Sequence, residues 1–84
     1  MDFNENEVRQ RIKNIILEET EYTGIYNDGI KIHQLGLNSV DYISLLIKFE
    51  EAFLFEFDDE TLQSEFFDNI GDIVAHILKK LSMR

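Results

Sequence analysis

Ser39 lies at a position where a side-chain hydroxyl could carry a phosphate ester. It follows the run Leu35-Gly36-Leu37-Asn38, and the apolar spacing after it predicts a helix that begins at Ser39. The N-terminus of a helix presents unpaired backbone N–H groups and the positive end of the helix dipole, so a phosphate there would be stabilised. Serine is also common at helix starts for structural reasons alone, so the position by itself leaves both interpretations open.

The other reactive side chains offer little support for catalysis. There is no Cys, which excludes a disulfide framework, a thiolate zinc site and a cysteine nucleophile, so any thiol must come from an added group. His33 and His76 lie far apart in the sequence, and Ser39 therefore has no credible base for a hydrolase. The acids at 58–60 lack the alternating ligands of a calcium loop. We expect neither an enzyme nor a metal site.

Length and charge restrict the class of protein and of partner. The 84 residues suffice for one small domain, and we expect a single monomeric domain over residues 1–84. Seventeen acidic residues against eight basic ones give a net charge of −9. That charge would repel nucleic acid and attract basic protein surfaces, although it could also serve solubility alone. No stretch has the length of a membrane span and the N-terminus does not resemble a signal peptide, so we expect a cytoplasmic protein.

Helical periodicity predicts three longer helices and one short one. The first runs over Glu5–Glu19, where Asn4 is a suitable N-cap and Glu7 completes a capping-box pattern. The last begins near residue 69 or 70 and ends at about residue 81. The short one begins at the acids of 58–60 and contains Leu62, Phe66 and Phe67.

A long connection lies between the first and second helices, from about residue 20 to residue 37. Its turn signals indicate a loop. Four of its residues are too apolar for a free linker, and we expect them to pack back over the helices: Ile25, Ile30, Ile32 and Leu35. The expected fold class is therefore all-α, a four-helix bundle with one long loop between the first and second helices.

The second predicted helix, Ser39–Phe53, begins after the N-cap Asn38 and carries Asp41 in its first turn, where a carboxylate favours the helix dipole. Two apolar rows share this helix. One suits the core: Tyr42, Leu45, Leu46, Phe49 and Phe53. The other is Val40, Ile43 and Ile47. A helix this apolar is either nearly buried or keeps one apolar face for a partner.

The run Leu35–Asp41, LGLNSVD, resembles the phosphopantetheine attachment motif of the acyl and peptidyl carrier protein family. That motif commonly has a Gly, a spacer, an Asp, a Ser and an apolar residue in succession. Residues 49–53, 55–60 and 70–74 also resemble segments of this family, and they occur in the same order and spacing. The resemblance covers about residues 5–81, and four ordered matches are a specific signal.

The resemblance implies the family's four-helix fold and its role as a carrier. A separate phosphopantetheinyl transferase, using coenzyme A and magnesium, would esterify the Ser39 hydroxyl with 4'-phosphopantetheine. The thiol of this arm would hold acyl or aminoacyl intermediates as thioesters for a biosynthetic pathway of the polyketide, nonribosomal peptide or fatty-acid-like kind. The implied partners are this transferase, an enzyme that loads the thiol, and downstream synthase or modifying enzymes. The carrier itself would catalyse nothing.

Partner enzymes are expected to dock on the second helix and on the loop before it. Acidic residues of this surface would steer basic partners, and its apolar residues would supply the contact. We assign eight residues to this partner surface: Leu37, Asn38, Val40, Asp41, Ile43, Ile47, Glu50 and Glu51.

Several residues depart from the pattern of fatty-acid carriers. Asn38 stands where an acid is commonest, Ser44 and Lys48 reduce the acidity of the helix, and Asp58 stands where many of those carriers have Pro. About two extra residues also lie between residues 59 and 70. These departures favour a specialised carrier that serves a polyketide, nonribosomal peptide or amino-acid transfer pathway. The alternative is a helical interaction module on the same fold that is never modified, whose apolar row binds a protein groove directly.

Overall fold

Three α-helices form the framework of the protein. The computed structural model describes residues 3–63 and 65–83, so Met1 and Arg84, the ends of the predicted domain, lie outside the described residues. The helices are α1 (Glu5–Glu19), α2 (Ser39–Phe53) and α3 (Ile70–Ser82). No strand occurs in the described part of the chain, so the predicted all-α class is confirmed.

Each helix begins after an asparagine whose side chain accepts a backbone hydrogen bond. The Oδ1 atoms of Asn4, Asn38 and Asn69 accept from the N–H groups of Glu7, Asp41 and Asp72 at 2.8, 2.7 and 2.9 Å. These bonds pair donors that a helix start would otherwise leave unsatisfied. In α3 the Asp72 carboxylate accepts in return from the N–H of Asn69, which completes a capping box. In α1 Glu7 instead accepts from the Asn4 side chain.

The predicted fourth helix is not confirmed. Residues Asp59–Leu62 form a single 3-10 turn, and Phe66 and Phe67 lie outside it. The turn is held by Thr61, whose N–H and hydroxyl both donate to the Asp58 carbonyl. The aromatic residues that follow pack as an irregular segment against α3 instead of continuing as a helix.

Residues 20–38 connect α1 to α2 and contain a 3-10 turn over Ile32–Leu35. Ile30, Ile32 and Leu35 are buried, as predicted, but Ile25 is 86% exposed, so the prediction was wrong for that residue. The neighbouring Tyr22 and Tyr26 pack against the core instead, which leaves Ile25 on the exposed stretch between them.

Backbone hydrogen bonds fasten this connection to the start of α3. The N–H of Ile70 donates to the Ile30 carbonyl at 3.0 Å, and the N–H of Ile32 donates to the Asp68 carbonyl at 3.0 Å. Lys31 Nζ also lies 2.6 Å from Asp68 Oδ2. We call these contacts between residues 28–32 and 68–71 the crossover clamp. It fixes one side of the surface next to the start of α2.

The core is built from one face of each α-helix. Buried apolar side chains recur at helical spacing, which is why the three helices pack around a common centre. The fully or nearly fully buried helical residues are Val8, Ile12 and Ile16 of α1, Tyr42, Leu45, Leu46, Phe49 and Phe53 of α2, and Ile70, Ile73, Val74 and Ile77 of α3.

Candidate functional site

Ser39 is the first residue of α2, and its side chain is exposed. The chain reaches it through Gly36, whose φ of 71° lies in the left-handed region that glycine adopts without steric cost. An added Cβ at Gly36 would meet no atom within 4 Å, so the space beside Gly36 is open at that position. Among the described residues, no hydrogen bond engages the Ser39 hydroxyl, and that oxygen is accessible to an enzyme.

The first turn of α2 also leaves donors free for a phosphate. Asn38 Oδ1 takes the N–H of Asp41, and the N–H of Tyr42 donates to the Asn38 carbonyl at 2.9 Å. The N–H groups of Ser39 and Val40 have no partner within residues 3–63 and 65–83. They lie at the positive end of the helix dipole, where an anion is stabilised. The Asp41 carboxylate is the acidic group of this turn.

A groove of about 460 Å³ lies beside the start of α2. One side of it comes from the crossover clamp, another from α2 and the residue before Asn38, and a third from the irregular segment before α3. We call it the α2 groove, and its lining residues are Ile32, His33, Leu37, Tyr42, Glu65, Phe66, Phe67, Asp68 and Asp72.

The two apolar rows of α2 separate as their spacing predicts. The core row is buried. Val40, Ile43 and Ile47 are 70%, 38% and 43% exposed and form one apolar strip that begins next to Ser39. Exposed large apolar side chains aligned on one helix are typical of a contact surface.

The other residues assigned to the partner surface differ in their surroundings. Asn38, Asp41 and Glu51 are exposed. Leu37 is half-buried and packs against the core, so it contributes less open surface than the apolar strip does. Glu50 is half-buried, and its Oε2 accepts from the N–H of Phe57 at 2.8 Å, so this carboxylate also holds the connection that follows α2.

The structure brings one histidine into an environment that the sequence does not indicate. His33 lies in the first 3-10 turn, is exposed and lines the α2 groove. His76 is half-buried beside Phe57, Phe66 and Phe67, with ring centroids 5.7, 6.0 and 5.4 Å away. Neither histidine lies in a group of metal ligands, since the described residues contain no cluster of three or more His, Cys, Asp or Glu side chains that could hold a metal ion.

Comparison with known proteins identifies the family of this chain. The family described as "Phosphopantetheine attachment site" matches residues 10–77. This chain belongs to that carrier family. An acyl carrier protein of Phytoplasma mali is 38% identical over an alignment of 73 residues, and the match covers 81% of each chain. Acyl carrier proteins of Akkermansia muciniphila and Thermotoga maritima are 31% and 32% identical over alignments of 77 residues, and the matches cover 89% of this chain and 94% and 93% of theirs.

Membership in the carrier family identifies the covalent group as 4'-phosphopantetheine. The start of α2 fits such a group, because it combines an exposed hydroxyl, two unpaired backbone N–H groups and open space at Gly36. A match to an attachment family does not favour the unmodified interaction module. None of the helices described in the structure is long and apolar enough to cross a bilayer.

Proposed function

We propose that this carrier-family chain bears its phosphopantetheine on Ser39 and presents acyl or aminoacyl groups to the enzymes of a biosynthetic pathway. The observation that carries the proposal is the placement of Ser39 as the exposed first residue of α2, inside the run LGLNSVD. When bound, the group supplies a terminal thiol on which cargo is held as a thioester. The chain has no Cys of its own that could compete for cargo.

Each residue of the first turn has a separate role in this proposal. Ser39 offers its oxygen to the transferase, Asn38 holds the turn through its bond to the Asp41 N–H, and Gly36 allows the chain to reverse before the helix. The unpaired N–H groups of Ser39 and Val40 are the donors available to a phosphate ester at that oxygen. The Ser39 hydroxyl loses its proton when the ester forms, and no side chain of the chain is assigned to take it, so the base and the catalysis belong to the partner enzymes.

The proposed partner surface is centred on the apolar strip of α2. Val40, Ile43 and Ile47 provide the apolar contact, and Asp41 and Glu51 steer basic partners from the rim of the strip. We propose that the transferase, the loading enzyme and the later enzymes of the pathway use this surface in turn, because all of them must reach the same serine.

We further propose a specialised carrier, a single cytoplasmic and monomeric domain, in place of the fatty-acid housekeeping role. Asn38 provides a cap without the charge that is commonest before the serine. Ser44 and Lys48 are both exposed on α2, so they reduce the acidity of the surface that partners would meet. A polyketide, nonribosomal peptide or amino-acid transfer pathway suits these departures best.

Intact mass spectrometry tests the attachment site. The full chain is incubated with coenzyme A, magnesium and a broad-specificity transferase, and we expect one phosphopantetheine to be added. Ser39→Ala should remain unmodified. Ser44→Ala is the matched control, because it removes an exposed serine of the same helix and should be modified like the wild type. If Ser39→Ala is modified, or if the wild type is not, the proposal is wrong. Wild-type protein that is purified from its own cells without the modification, and yet bound to a partner, would favour the interaction module.

A further inference from the structure

His76 of α3 has a titratable ring that the carrier role does not use. Its ring stacks on Phe57 at an interplanar angle of 26° and meets the rings of Phe66 and Phe67 edge to face, at 82° and 77°. Its Nε2 atom is buried and has no hydrogen-bond partner among the described residues. An uncharged imidazole can leave one nitrogen lone pair unpaired against aromatic carbon. A protonated ring would place a charged N–H there with no acceptor, which is costly.

The charges around His76 give little compensation for a proton. Lys79 and Lys80 lie on the same helix and oppose a further positive charge. Asp58, on the connection after α2, favours it, but Lys80 Nζ lies 3.3 Å from the Asp58 carboxylate and already uses it. Burial and these lysines lower the pKa of His76, with burial as the larger cause.

Two further acids lie on the elements packed around His76. Asp72, one turn earlier on α3, uses its Oδ2 to accept from the N–H groups of Asp68 and Asn69. Glu65 precedes the two phenylalanines and lines the α2 groove. The groove that His76 itself lines contains Asp72 and Lys79 as its charged residues within the described part of the chain. Among the acids, Asp58 is the one whose charge raises the pKa of His76, so Asp72 and Glu65 do not offset the burial of the ring.

The rings that contact His76 also form a wall of the α2 groove. Phe66 and Phe67 line that groove on one side, and on the other side they line the shallower groove that contains His76. Phe66 is 44% exposed and Phe67 is buried. Among the described residues, the aromatic contacts of Phe66 are with Phe67 and His76, and its N–H donates to the Gln63 carbonyl at 2.9 Å, so the histidine ring is one of the contacts that position it.

We propose that His76 is a pH-sensitive latch that seats residues 65–67 against α3 when its ring is uncharged and releases them when the ring takes up a proton. Release would displace the Phe66–Phe67 wall and so widen the α2 groove, next to the helix start that carries Ser39. The latch itself does not require modification of Ser39. If cargo is bound as a thioester, the widened groove would shield that cargo less at acid pH. This consequence alone rests on the proposed function.

The direction of the pH dependence follows from the ring's surroundings. The seated state binds the proton less tightly than the released state, so the latch is closed above the ordinary pKa of histidine, about 6.5. It weakens as the pH falls below that value. The pKa of His76 is lower in the seated state than in the released state. For each unit of that difference, full protonation of the ring multiplies the equilibrium constant for release of residues 65–67 by about ten.

NMR of the unmodified full chain tests the latch between pH 8 and pH 5. The ring C–H signals of the two histidines give their separate pKa values, and the backbone amide signals of residues 65–67 report the segment. We expect these amides to shift with the midpoint of His76 and not with that of His33. Their hydrogen-exchange protection should fall with the same midpoint, after correction for the intrinsic pH dependence of exchange.

Two variants separate the latch from general acid effects. His33→Gln removes the exposed histidine and should leave the response of residues 65–67 intact, whereas His76→Phe keeps an aromatic ring that cannot titrate and should abolish it. If His76→Phe does not fold, His33→Gln still decides the matter, because it contains His76 as its only histidine. A response that persists in His76→Phe or follows His33 would overturn the latch. So would a His76 pKa at or above the ordinary value, as attraction of an imidazolium to the phenylalanine faces would produce.

These measurements use protein without phosphopantetheine, so they succeed or fail independently of the mass test on Ser39. A modified chain whose segment 65–67 ignores pH would refute the latch and keep the carrier. If the transferase fails to modify the chain but segment 65–67 follows the titration of His76, the carrier is refuted and the latch is kept.

Discussion

The Tyr42 hydroxyl donates a hydrogen bond to the Thr61 carbonyl at 2.9 Å, and both residues are 1% exposed. Tyr42 lies one turn after Ser39 on α2, while Thr61 lies in the second 3-10 turn. This buried bond joins the helix that carries the candidate attachment site to the connection before α3. It gives an irregular part of the chain a fixed position relative to Ser39.

Tyr42→Phe should lower the free energy of unfolding by about 1–3 kcal/mol, because the ring remains while a buried carbonyl loses its donor. Urea denaturation followed by circular dichroism measures this, and the slope with urea should stay unchanged. Tyr22→Phe is the matched control, since the Tyr22 hydroxyl donates to the Ile25 carbonyl at 3.3 Å in an exposed position. Equal effects of the two substitutions would contradict a special role for the buried bond.

Stability should fall at alkaline pH, and Tyr42 should account for part of the loss. Burial raises the pKa of Tyr42 to about 12, and burial together with Asp28 raises the pKa of Tyr26 to about 12. A raised folded-state pKa contributes stability that is complete below the ordinary value of about 10 and is lost as the pH rises from there. Urea unfolding between pH 9 and pH 11 should show a smaller decline for Tyr42→Phe than for the wild type. If the free energies of unfolding of the two proteins decline in parallel, unfolding does not change the pKa of the Tyr42 hydroxyl.

The parts of the site that could be predicted from sequence depend on neighbours within one helix. Asn38 caps a donor three residues away, and the exposure of Val40 and Ile43 follows from the helical period that buries Tyr42 and Leu45. Such relationships have fixed spacings, so the residue types alone reveal them. For the same reason, the bounds of α1 and α2 agree with the predicted ones.

The parts that could not be predicted depend on single contacts between distant segments. The crossover clamp joins residues 28–32 to 68–71 through isolated backbone bonds, which any side chains could accompany. The aromatic surroundings of His76 arise because residues 65–67 fold back on α3 in place of forming a helix. Leu62, Phe66 and Phe67 have helical spacing, but Leu62 and Phe67 pack into the core and Phe66 packs on Phe67 and His76, so tertiary packing overrides local periodicity.

Asn38 tests whether the residue before the serine acts as a cap or as a charge. Asn38→Ala should destabilise the fold by about 1 kcal/mol through loss of the bond to the Asp41 N–H. Asn38→Asp keeps an acceptor and should retain the stability. Urea denaturation gives both values, and the rate of phosphopantetheine addition is measured on the same samples.

The two Asn38 variants separate these roles at the transferase. If a charge before Ser39 is read by the enzyme, Asn38→Asp should be modified faster than the wild type, and the difference should shrink as salt screens the charge. If phosphopantetheine is added to Asn38→Asp and to the wild type at equal rates, the transferase does not read a charge at this position, and residue 38 contributes only its helix cap. An Asn38→Ala chain as stable as the wild type would contradict the cap.

Charge reversal on α2 should slow loading by a partner enzyme with a basic surface. Asp41→Lys and Glu51→Lys each replace an exposed carboxylate on or next to the apolar strip. Each should lower the rate of loading at low ionic strength, and the deficit should decrease with added salt, because screening weakens attraction between exposed charges. The initial rate of modification or thioester loading, measured at several salt concentrations, checks this.

Glu50 needs a different control, because its carboxylate also accepts from the N–H of Phe57 at 2.8 Å. Glu50→Lys removes that acceptor and should lower stability as well as the loading rate, whereas Glu50→Gln keeps an acceptor without the charge. If Glu51→Lys and Glu50→Gln both show a salt-dependent loss of loading rate, that loss therefore comes from charge alone. Glu18→Lys, on the exposed side of α1, is the matched reversal away from the strip. If it slows loading as much as Glu51→Lys does, the net charge of the chain steers partners, and α2 is not their specific surface.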